Sequence, residues 1–352
     1  MSVEMSAVGD ATTAAVSHRP IVEVENLVIR MKSANPFTLV DGVSFSLLPG
    51  HALALVGESG AGKSITCRAI LSLLNPRKFD VSGTVRLDGV EVSALRSKEW
   101  RAQATRTSSL IFQDPTRSLN PTMKVGWQVA EAMYKSTTRT EKLSKDAAKE
   151  RAINLMREVG IADPEERFYT YPHQLSGGMR QRIVIAIALS CDPQVIFADE
   201  PTTSLDVTTQ AQIMDLLDDL RQKRQIAVVL VTHDLALAAS RVDEAMVMYA
   251  GRLVEKLPSS DVAHSAQMPY SHALLNAVPG MEIDGEIPDP IPGSPPNPRD
   301  LPPGCAFEPR CSERGQICVD ERPELRELSP GHSCACWFPI DLETTPIAES
   351  RI

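Results

Sequence analysis

The sequence lacks a long apolar run, an excess of basic residues and any internal repeat. No apolar stretch approaches the roughly 18 to 20 residues that cross a bilayer, which argues against a membrane-spanning helix. Lysine and arginine together number 36 against 45 aspartates and glutamates, giving a net charge of −9. Because binding to nucleic acid requires a basic face that neutralises phosphates, we expect no nucleic-acid partner.

The first 20 residues also lack an apolar segment of the kind found in signal peptides. They are small and polar, so we expect neither a signal peptide nor a membrane anchor, but a disordered arm over 1–20. These features predict a cytosolic protein, and any role at a membrane would then come through a partner.

Short apolar runs alternate with helix-like segments from about Ile21 onwards, which predicts an α/β fold. Three runs are continuously apolar, as expected for parallel strands that are covered on both faces. They are His51–Gly57, Gln194–Asp199 and Ile226–Thr232. The stretch from Ile21 to Leu48 alternates between apolar and polar residues instead, which favours an antiparallel edge.

These patterns divide the 352 residues into an expected order of domains. We expect a first domain over 21–257, with a helical subdomain at about 116–190. Eight prolines between Pro288 and Pro303 indicate a stiff connector. This connector leads to a small cysteine-bearing lobe, so 258–340 form a second unit, and 341–352 are expected to be a loose tail.

A glycine-rich loop follows the first buried strand and precedes a helix. It matches the pattern G-x-x-x-x-G-K-[ST], whose backbone N–H groups cradle phosphates at a helix N-terminus. The loop consists of Gly57, Glu58, Ser59, Gly60, Ala61, Gly62, Lys63 and Ser64. In this pattern the lysine reaches the β- and γ-phosphates of ATP and the serine hydroxyl binds Mg²⁺.

Polar side chains follow three further predicted strands. Asp199 ends one strand and is suited to hold Mg²⁺ through water, and the adjacent Glu200 could polarise the attacking water. His233 ends another strand and is a candidate contact for the γ-phosphate. Gln113 follows a fourth strand and could touch both Mg²⁺ and the water. Because carboxyl ends of parallel strands share one edge, these residues are predicted to meet there.

The segment Leu175–Arg182 reads LSGGMRQR and resembles the signature of ABC proteins. The resemblance implies a P-loop NTPase core of ABC type with an antiparallel β edge, a helical signature subdomain and a small C-terminal cysteine-bearing lobe. It also implies that the signature faces ATP bound to an opposing subunit, and that the segment 204–206, which contains Asp206, is the D-loop at that interface. The signature residues assigned to the opposing ATP are Leu175, Ser176, Gly177, Gly178 and Gln181.

Further segments resemble one subfamily, the ATP-binding subunits of oligopeptide, dipeptide and nickel importers. They are Leu119–Pro121, Ala198–Val207, Met248–Glu255, Pro269–Leu275 and Pro302–Cys311. The resemblance implies uptake of short peptides, with two membrane permease subunits and an extracytoplasmic solute-binding protein as partners. The second ATPase subunit would be a paralogue or another copy of this chain, and the protein would lie at the cytoplasmic face of the membrane.

Two residues, Met31 and Phe37, are candidates for contact with the adenine ring of ATP. Members of the family usually carry an aromatic residue at the end of the first strand, where this chain has Met31. The thioether of Met31 could pack on the ring. Phe37 could do so instead, and both residues could also be ordinary packing residues.

Five of the seven cysteines lie between Cys305 and Cys336. In a reducing compartment such a cluster more often binds a metal than forms disulfides. From spacing alone, Cys305, Cys311, Cys318 and Cys336 fit an iron–sulfur cluster, zinc or unligated thiols. The family resemblance favours a [4Fe–4S] cluster over zinc, and Cys334 is an alternative fourth ligand.

Two other functions are compatible with an ABC cassette. A soluble ABC ATPase of DNA repair or translation would usually carry two cassettes or a long coiled coil, neither of which is evident here. A regulatory subunit that binds ATP without hydrolysis would not need Glu200 and His233. The sequence therefore favours a transport ATPase that uses ATP and Mg²⁺.

Overall fold

The protein is described here from a computed structural model that covers residues 19–135, 143–203, 205–258, 262–277 and 290–341. Most of the expected N-terminal arm, all but the first residue of the expected tail and Ser204 of the expected D-loop lie outside the described residues. The strands are β1 Val22–Met31, β2 Phe37–Leu47, β3 Ala52–Val56, β4 Phe79–Leu87, β5 Val90–Glu91, β6 Ser108–Ile111, β7 Val195–Asp199, β8 Ala227–Thr232, β9 Glu244–Tyr249, β10 Arg252–Pro258, β11 Arg326–Ser329 and β12 His332–Cys334.

The α-helices connect these strands and cover the sheets. They are α1 Lys63–Ile70, α2 Ser97–Thr107, α3 Pro115–Ser118, α4 Val125–Lys135, α5 Lys145–Glu158, α6 Pro164–Arg167, α7 Gly177–Leu189, α8 Val207–Arg224, α9 Leu235–Ala239, α10 Val262–Ser265, α11 Pro269–Asn276 and α12 Gln316–Asp320.

A mixed sheet forms the centre of the molecule, with strand order β11-β12-β10-β9-β3-β8-β7-β6. The three apolar runs are the parallel strands β3, β7 and β8, and every residue in them is buried. Along β3, Ala54 and Val56 face the core on the helical side, whereas Leu53 and Leu55 face the opposite core. A strand that is covered on both faces needs apolar residues at every position, which explains the unbroken runs.

A smaller antiparallel sheet, of order β2-β1-β4-β5, packs on one face of the central sheet. Strands β1 and β2 alternate buried and exposed residues, as the sequence indicates. The expected α/β fold with an antiparallel edge subdomain is therefore confirmed.

Helices α3 to α7 lie between β6 and β7 and pack mainly through α4, α5 and α7. The ring of Phe168 fills the centre of this helical layer, at 4.9 Å from the ring of Trp127. A Cβ atom at Gly126 would lie only 2.1 Å from the Phe168 ring, so this glycine permits the close packing.

The C-terminal part of the chain is joined to the central sheet. Strand β12 pairs with β10, where Cys334 lies opposite Glu255. Tyr270 of α11 and Phe307 are buried in the same core as the parallel strands. The sequence indicates a compact cysteine-bearing lobe behind a stiff connector, and in the structure β11, β12 and Phe307 of this part of the chain join the main sheet and core.

In the described part of the chain, no helix is long and apolar enough to cross a membrane.

Candidate functional site

The glycine-rich loop lies between β3 and α1, where a phosphate-binding loop is expected. Gly57, Gly60 and Gly62 all have positive φ angles, of 152°, 86° and 106°. A Cβ atom on Gly57 would lie 2.3 Å from the carbonyl oxygen of Met248, so no larger residue fits there. Helix α1 begins at Lys63, and its N-terminal N–H groups therefore point into the loop.

The ammonium group of Lys63 curls back over this loop. Its Nζ donates to the carbonyl oxygens of Gly57 at 2.5 Å and Glu58 at 3.0 Å. Burial lowers the pKa of Lys63, and the nearby carboxylates of Glu200, Asp199 and Glu58 partly oppose this effect. A buried lysine among carboxylates is placed to bind an anion that enters the loop.

Oxygen atoms suited to Mg²⁺ meet beside the loop. The Ser64 hydroxyl donates to Asp199 Oδ1 at 2.6 Å, and Asp199 is buried at the end of β7. The guanidinium group of Arg68 lies 3.6 Å from the other carboxylate oxygen. A hydroxyl and a carboxylate in direct contact can share one Mg²⁺, whose remaining ligands would come from phosphate and water. The residues present therefore fit this ion.

Glu200 follows Asp199 in the left-handed region, with φ 47°. Its Oε2 accepts hydrogen bonds from Gln113 Nε2 at 2.7 Å and from Thr203 Oγ1 at 2.8 Å. His233 Nδ1 lies 3.9 Å from the same oxygen, which is an ionic contact rather than a hydrogen bond. The structure thus brings the side chains that follow β6, β7 and β8 together around one carboxylate.

Charges around Glu200 keep it ionised. Interaction with His233 is the main reason that the pKa of Glu200 is lowered, and Thr203 and Lys63 act in the same direction. Glu200 in turn raises the pKa of His233. An ionised carboxylate that is oriented by donors can accept a proton from a water molecule.

The signature segment forms the N-terminus of α7. Ser176 is the N-cap residue, and its hydroxyl accepts from the N–H of Met179 at 3.3 Å. A Cβ atom on Gly178 would lie 2.6 Å from Thr209 Cγ2, so α8 requires a glycine at this position. Gly177 is exposed and Gly178 is half-buried, so the first N–H groups of the 13-residue helix α7 are open to an anion on the side of Gly177.

One residue assigned to this segment does not lie at the surface. Gln181 is fully buried within the helical layer, and its amide atoms have no hydrogen-bond partner among the described residues. Leu175 is buried as well, at 4% exposure. The expectation that Gln181 contacts ATP on an opposing subunit is therefore wrong, because its side chain points into the core.

Asp206 caps helix α8. Its carboxylate accepts from the Thr209 N–H at 3.0 Å and from the Thr209 hydroxyl at 2.7 Å. These hydrogen bonds lower the pKa of Asp206. The same residue Thr209 packs against Gly178, so the segment expected to be the D-loop lies beside the signature.

The two candidate adenine contacts lie opposite each other. Met31 pairs with Phe37 at the open end of β1 and β2. The guanidinium carbon of Arg299 lies 4.9 Å from the centre of the Phe37 ring, in a cation–π contact. Both residues remain candidates, because their placement is compatible with a contact to adenine and also with ordinary packing.

The C-terminal cysteines approach one another. The N–H of Cys305 donates to the carbonyl of Cys318 at 2.7 Å. Burial is the main cause of the raised pKa of Cys336, about 12, and the thiols of Cys305, Cys311 and Cys318 also raise it. Among the described residues, however, no group of three or more His, Cys, Asp or Glu side chains is arranged as a metal site.

Cys334 differs from these four thiols. Burial is the main cause of its raised pKa, and the carboxylate of Glu255 is the second cause, ahead of the other cysteines. Cys334 is fully buried and lies opposite Glu255 in the pairing of β12 with β10.

Three residues near the phosphate loop are absent from the sequence-based assignment. Thr203 orients Glu200, Arg310 binds the Glu58 carboxylate, and the Tyr270 hydroxyl accepts from the Glu58 N–H at 2.8 Å. The position of Thr203 close after Glu200 could have indicated its role. Tyr270 and Arg310 lie in the segments Pro269–Leu275 and Pro302–Cys311, whose family resemblance could have singled them out but does not indicate a contact with the phosphate loop.

Comparison with known families agrees with this site. The chain matches the ABC transporter family over residues 40–203 and the oligopeptide/dipeptide transporter C-terminal region over residues 254–318. The dipeptide transport ATP-binding protein DppD of Bacillus subtilis is 42% identical over 320 residues, which cover 90% of this chain and 94% of that protein. The oligopeptide transport ATP-binding protein OppD of Salmonella typhimurium is 41% identical over 342 residues, which cover 96% and 99%.

Solved structures share the cassette. One is a dimeric, post-hydrolysis structure of the ATP-binding cassette MJ0796 bound to ADP and Pi. It superposes with a TM-score of 0.60 at 26% sequence identity, and the match covers 68% of this chain and 98% of the MJ0796 chain. The other is the cbiO1 protein from Clostridium perfringens, part of an ABC transporter complex. It superposes with a TM-score of 0.59 at 26% sequence identity, and the match covers 69% of this chain and 90% of the cbiO1 chain. The chain therefore belongs to the ABC transporter family and, within it, to the ATP-binding proteins of dipeptide and oligopeptide transport.

Proposed function

We propose that this chain is the ATP-hydrolysing subunit of an ABC importer that takes up short peptides. The observation that carries the proposal is the meeting of Lys63, Ser64, Asp199, Glu200 and His233 at one edge of the sheet, in a chain 42% identical to a dipeptide transport ATP-binding protein. Identity to dipeptide and to oligopeptide proteins is similar, so short peptides are the substrate class.

The geometry supports a defined division of labour. Lys63 and the N–H groups at the start of α1 would bind the β- and γ-phosphates, and Ser64 and Asp199 would hold Mg²⁺. Bound Mg²⁺ supplies charge neutralisation at the phosphates. Glu200 would take a proton from the attacking water, while Gln113 and Thr203 hold its carboxylate in place.

Hydrolysis would need a second subunit. Ser176, Gly177 and Gly178 lie at an open helix N-terminus, which would clamp the ATP bound to an opposing ATPase subunit, either a paralogue or another copy. The dimeric state of the MJ0796 cassette supports this arrangement. The exposed side chain of Val207, 84% accessible, follows Asp206 and is suited to the same interface.

The proposed partners beyond the ATPase pair are two permease subunits and an extracytoplasmic solute-binding protein, with this chain bound at the cytoplasmic face of the membrane. We place the permease contact at 118–126, which follows Gln113 in the chain and begins at the end of α3. Within it, Asn120 is exposed and Leu119 is 3% exposed, so a test of coupling belongs at Asn120 rather than at Leu119.

The test of the proposed function is co-purification of the intact membrane complex, followed by ATPase assays with di- to pentapeptides. We expect peptide and binding protein to stimulate hydrolysis, and Lys63→Ala to abolish it. A complex without permease subunits, or ATPase that no peptide stimulates, would contradict the proposal. Co-purification with ribosomes or DNA would instead favour a soluble ABC ATPase of translation or repair.

We also propose that Cys305, Cys311, Cys318 and Cys336 hold a [4Fe–4S] cluster, with zinc as the alternative. The spacing of these four cysteines and the backbone hydrogen bond from Cys305 to Cys318 support the proposal, since four thiolates are the usual ligand set of such clusters. Bound iron would favour the thiolate forms that burial disfavours, and its role would be to fix the fold of this lobe. Iron and acid-labile sulfide in anaerobically purified protein would support the cluster, and zinc without sulfide would contradict it.

A further inference from the structure

The glycine-rich loop is held from outside the ATPase cassette. Arg310, which lies 252 residues further along the chain, forms a two-pronged ion pair with Glu58 of that loop. Its Nη1 lies 2.6 Å from Glu58 Oε2 and its Nη2 lies 2.9 Å from Oε1. This bidentate geometry is the strongest form of an arginine–carboxylate contact, because two parallel charge-assisted hydrogen bonds fix the plane of the guanidinium group relative to that of the carboxylate.

The arginine itself is held rigidly. Its side chain is only 4% exposed. Nε donates to the carbonyl of Pro292 in the proline-rich connector at 2.7 Å, and Nη1 also donates to the Tyr249 hydroxyl at 3.2 Å. The guanidinium group further packs on the ring of Phe307, 5.8 Å from its centre. A buried guanidinium with all these partners cannot shift without leaving a charge unpaired.

A second contact fixes the same loop residue from the same side. The backbone N–H of Glu58 donates to the Tyr270 hydroxyl at 2.8 Å. The rings of Tyr249, Tyr270 and Phe307 pack together, with centres 4.5 to 5.3 Å apart. Both the main chain and the side chain of Glu58 are therefore anchored on the C-terminal part of the molecule.

The charge of Glu58 matters for the phosphates. Glu58 is near enough to Lys63 to influence the pKa of that lysine. A carboxylate within the phosphate-binding loop would repel a bound polyphosphate if no cation neutralised it. Arg310 supplies that cation.

We infer that Arg310 is a positioning residue of the ATP site, which holds the phosphate-binding loop through Glu58 and thereby makes nucleotide affinity depend on the C-terminal lobe. The inference rests on the proposed ATPase function. Arg310 acts on the loop through the Glu58 carboxylate, so we expect its loss to weaken nucleotide binding more than it slows the chemical step.

The test uses the full-length subunit and measures MgADP binding by calorimetry, together with KM and kcat for MgATP in the assembled complex. We expect Arg310→Met to weaken MgADP binding and to raise KM by about tenfold, because Glu58 is left as an unpaired anion. We expect kcat to change less than about threefold. Arg310→Lys keeps the charge but cannot bridge both oxygens, so an intermediate loss is expected.

The double variant Arg310→Met with Glu58→Gln shows whether the affinity for MgADP falls because the Glu58 charge is unpaired or because packing around Arg310 is lost. It removes the unpaired anion, so it should recover most of the affinity that the single Arg310 variant loses. The matched control is Arg314→Met in the same lobe, where an exposed arginine pairs with Glu308 at 3.1 Å. This control should bind MgADP like the wild type.

The outcomes are distinct. A folded Arg310→Met variant within twofold of wild-type affinity, or a double variant no better than the single one, would overturn the inference. If Arg310→Met does not fold, Arg310→Lys decides, and wild-type affinity in that variant overturns it. A wild-type subunit that binds no MgADP, or a Lys63→Ala variant that binds it normally, would overturn the proposed function and the inference with it.

Discussion

Replacement of Glu200 by glutamine removes one proton acceptor while leaving the rest of the site in place. Glu200 Oε2 accepts hydrogen bonds from Gln113 at 2.7 Å and Thr203 at 2.8 Å. The amide oxygen of a glutamine can accept both, and the two side chains have nearly the same volume. The local backbone, with φ 47° and an N–H donated to the Val231 carbonyl at 2.9 Å, is equally compatible with glutamine.

The size of the effect follows from what is lost. A positioned general base contributes about 10²- to 10⁴-fold to a rate, so kcat should fall by at least about 100-fold. Lys63, Ser64 and Asp199 are untouched, so MgATP affinity should stay within about threefold of the wild type. The variant should accumulate as ATP-bound closed dimers, since closure precedes hydrolysis.

The assay is phosphate release by the assembled complex at saturating MgATP, with calorimetry on the isolated subunit and gel filtration with ATP. Glu165→Gln is the matched control, because Glu165 is an exposed partner of Arg157 far from the loop in sequence and should leave kcat unchanged. A Glu200→Gln complex that retains more than about one-tenth of wild-type kcat would refute the role of Glu200 as the base.

The other predictions concern the signature, the histidine and the thiols. Ser176→Arg should leave MgATP binding to the isolated subunit unchanged in calorimetry but lower ATPase of the complex by about 100-fold, because a bulky cation blocks closure. In Glu200→Gln, the NMR-detected pKa of His233 should fall towards its ordinary value. Because the pKa of His233 is raised and that of Glu200 is lowered, the pair stabilises the wild type between these two pKa values. This stabilisation is lost as pH rises through the pKa of His233 and as pH falls through the pKa of Glu200. Cys336→Ser should lose bound iron by metal analysis whereas Cys334→Ser should keep it, and the reverse result would reassign the fourth ligand.

Much of the cassette could be predicted because its signals are local. Strand β3 is apolar at every position, since both its faces are covered, and the glycine pattern directly follows it. Parallel strands end at one edge, so the residues after β7 and β8 had to meet near that loop. The contacts of Asp199 with Ser64 and of Glu200 with His233 are the result.

The burial of Gln181 could not be predicted in the same way. An amphipathic helix shows which residues face the core through a stripe of apolar residues. Helix α7 is buried over most of its surface, so its sequence is apolar on nearly all sides after Arg182 and no stripe is visible. The motif marked the segment correctly, but it did not show which way each side chain points.

The contact between Arg310 and Glu58 was inaccessible for a different reason. The loop pattern is defined by backbone shape, so it fixes the glycines, the lysine and the serine, and leaves the position of Glu58 open. That open position is where the C-terminal part of the chain reaches the loop, through Arg310 and the Tyr270 hydroxyl. Solved cassettes such as MJ0796 cover 68% of this chain, and both of these contacts come from the sequence after β10. A fragment that ends at Pro258 would keep every motif residue of the cassette, yet it would leave the Glu58 carboxylate unpaired beside the phosphates. We therefore expect nucleotide affinity to depend on residues after β10 as well as on the motifs of the cassette.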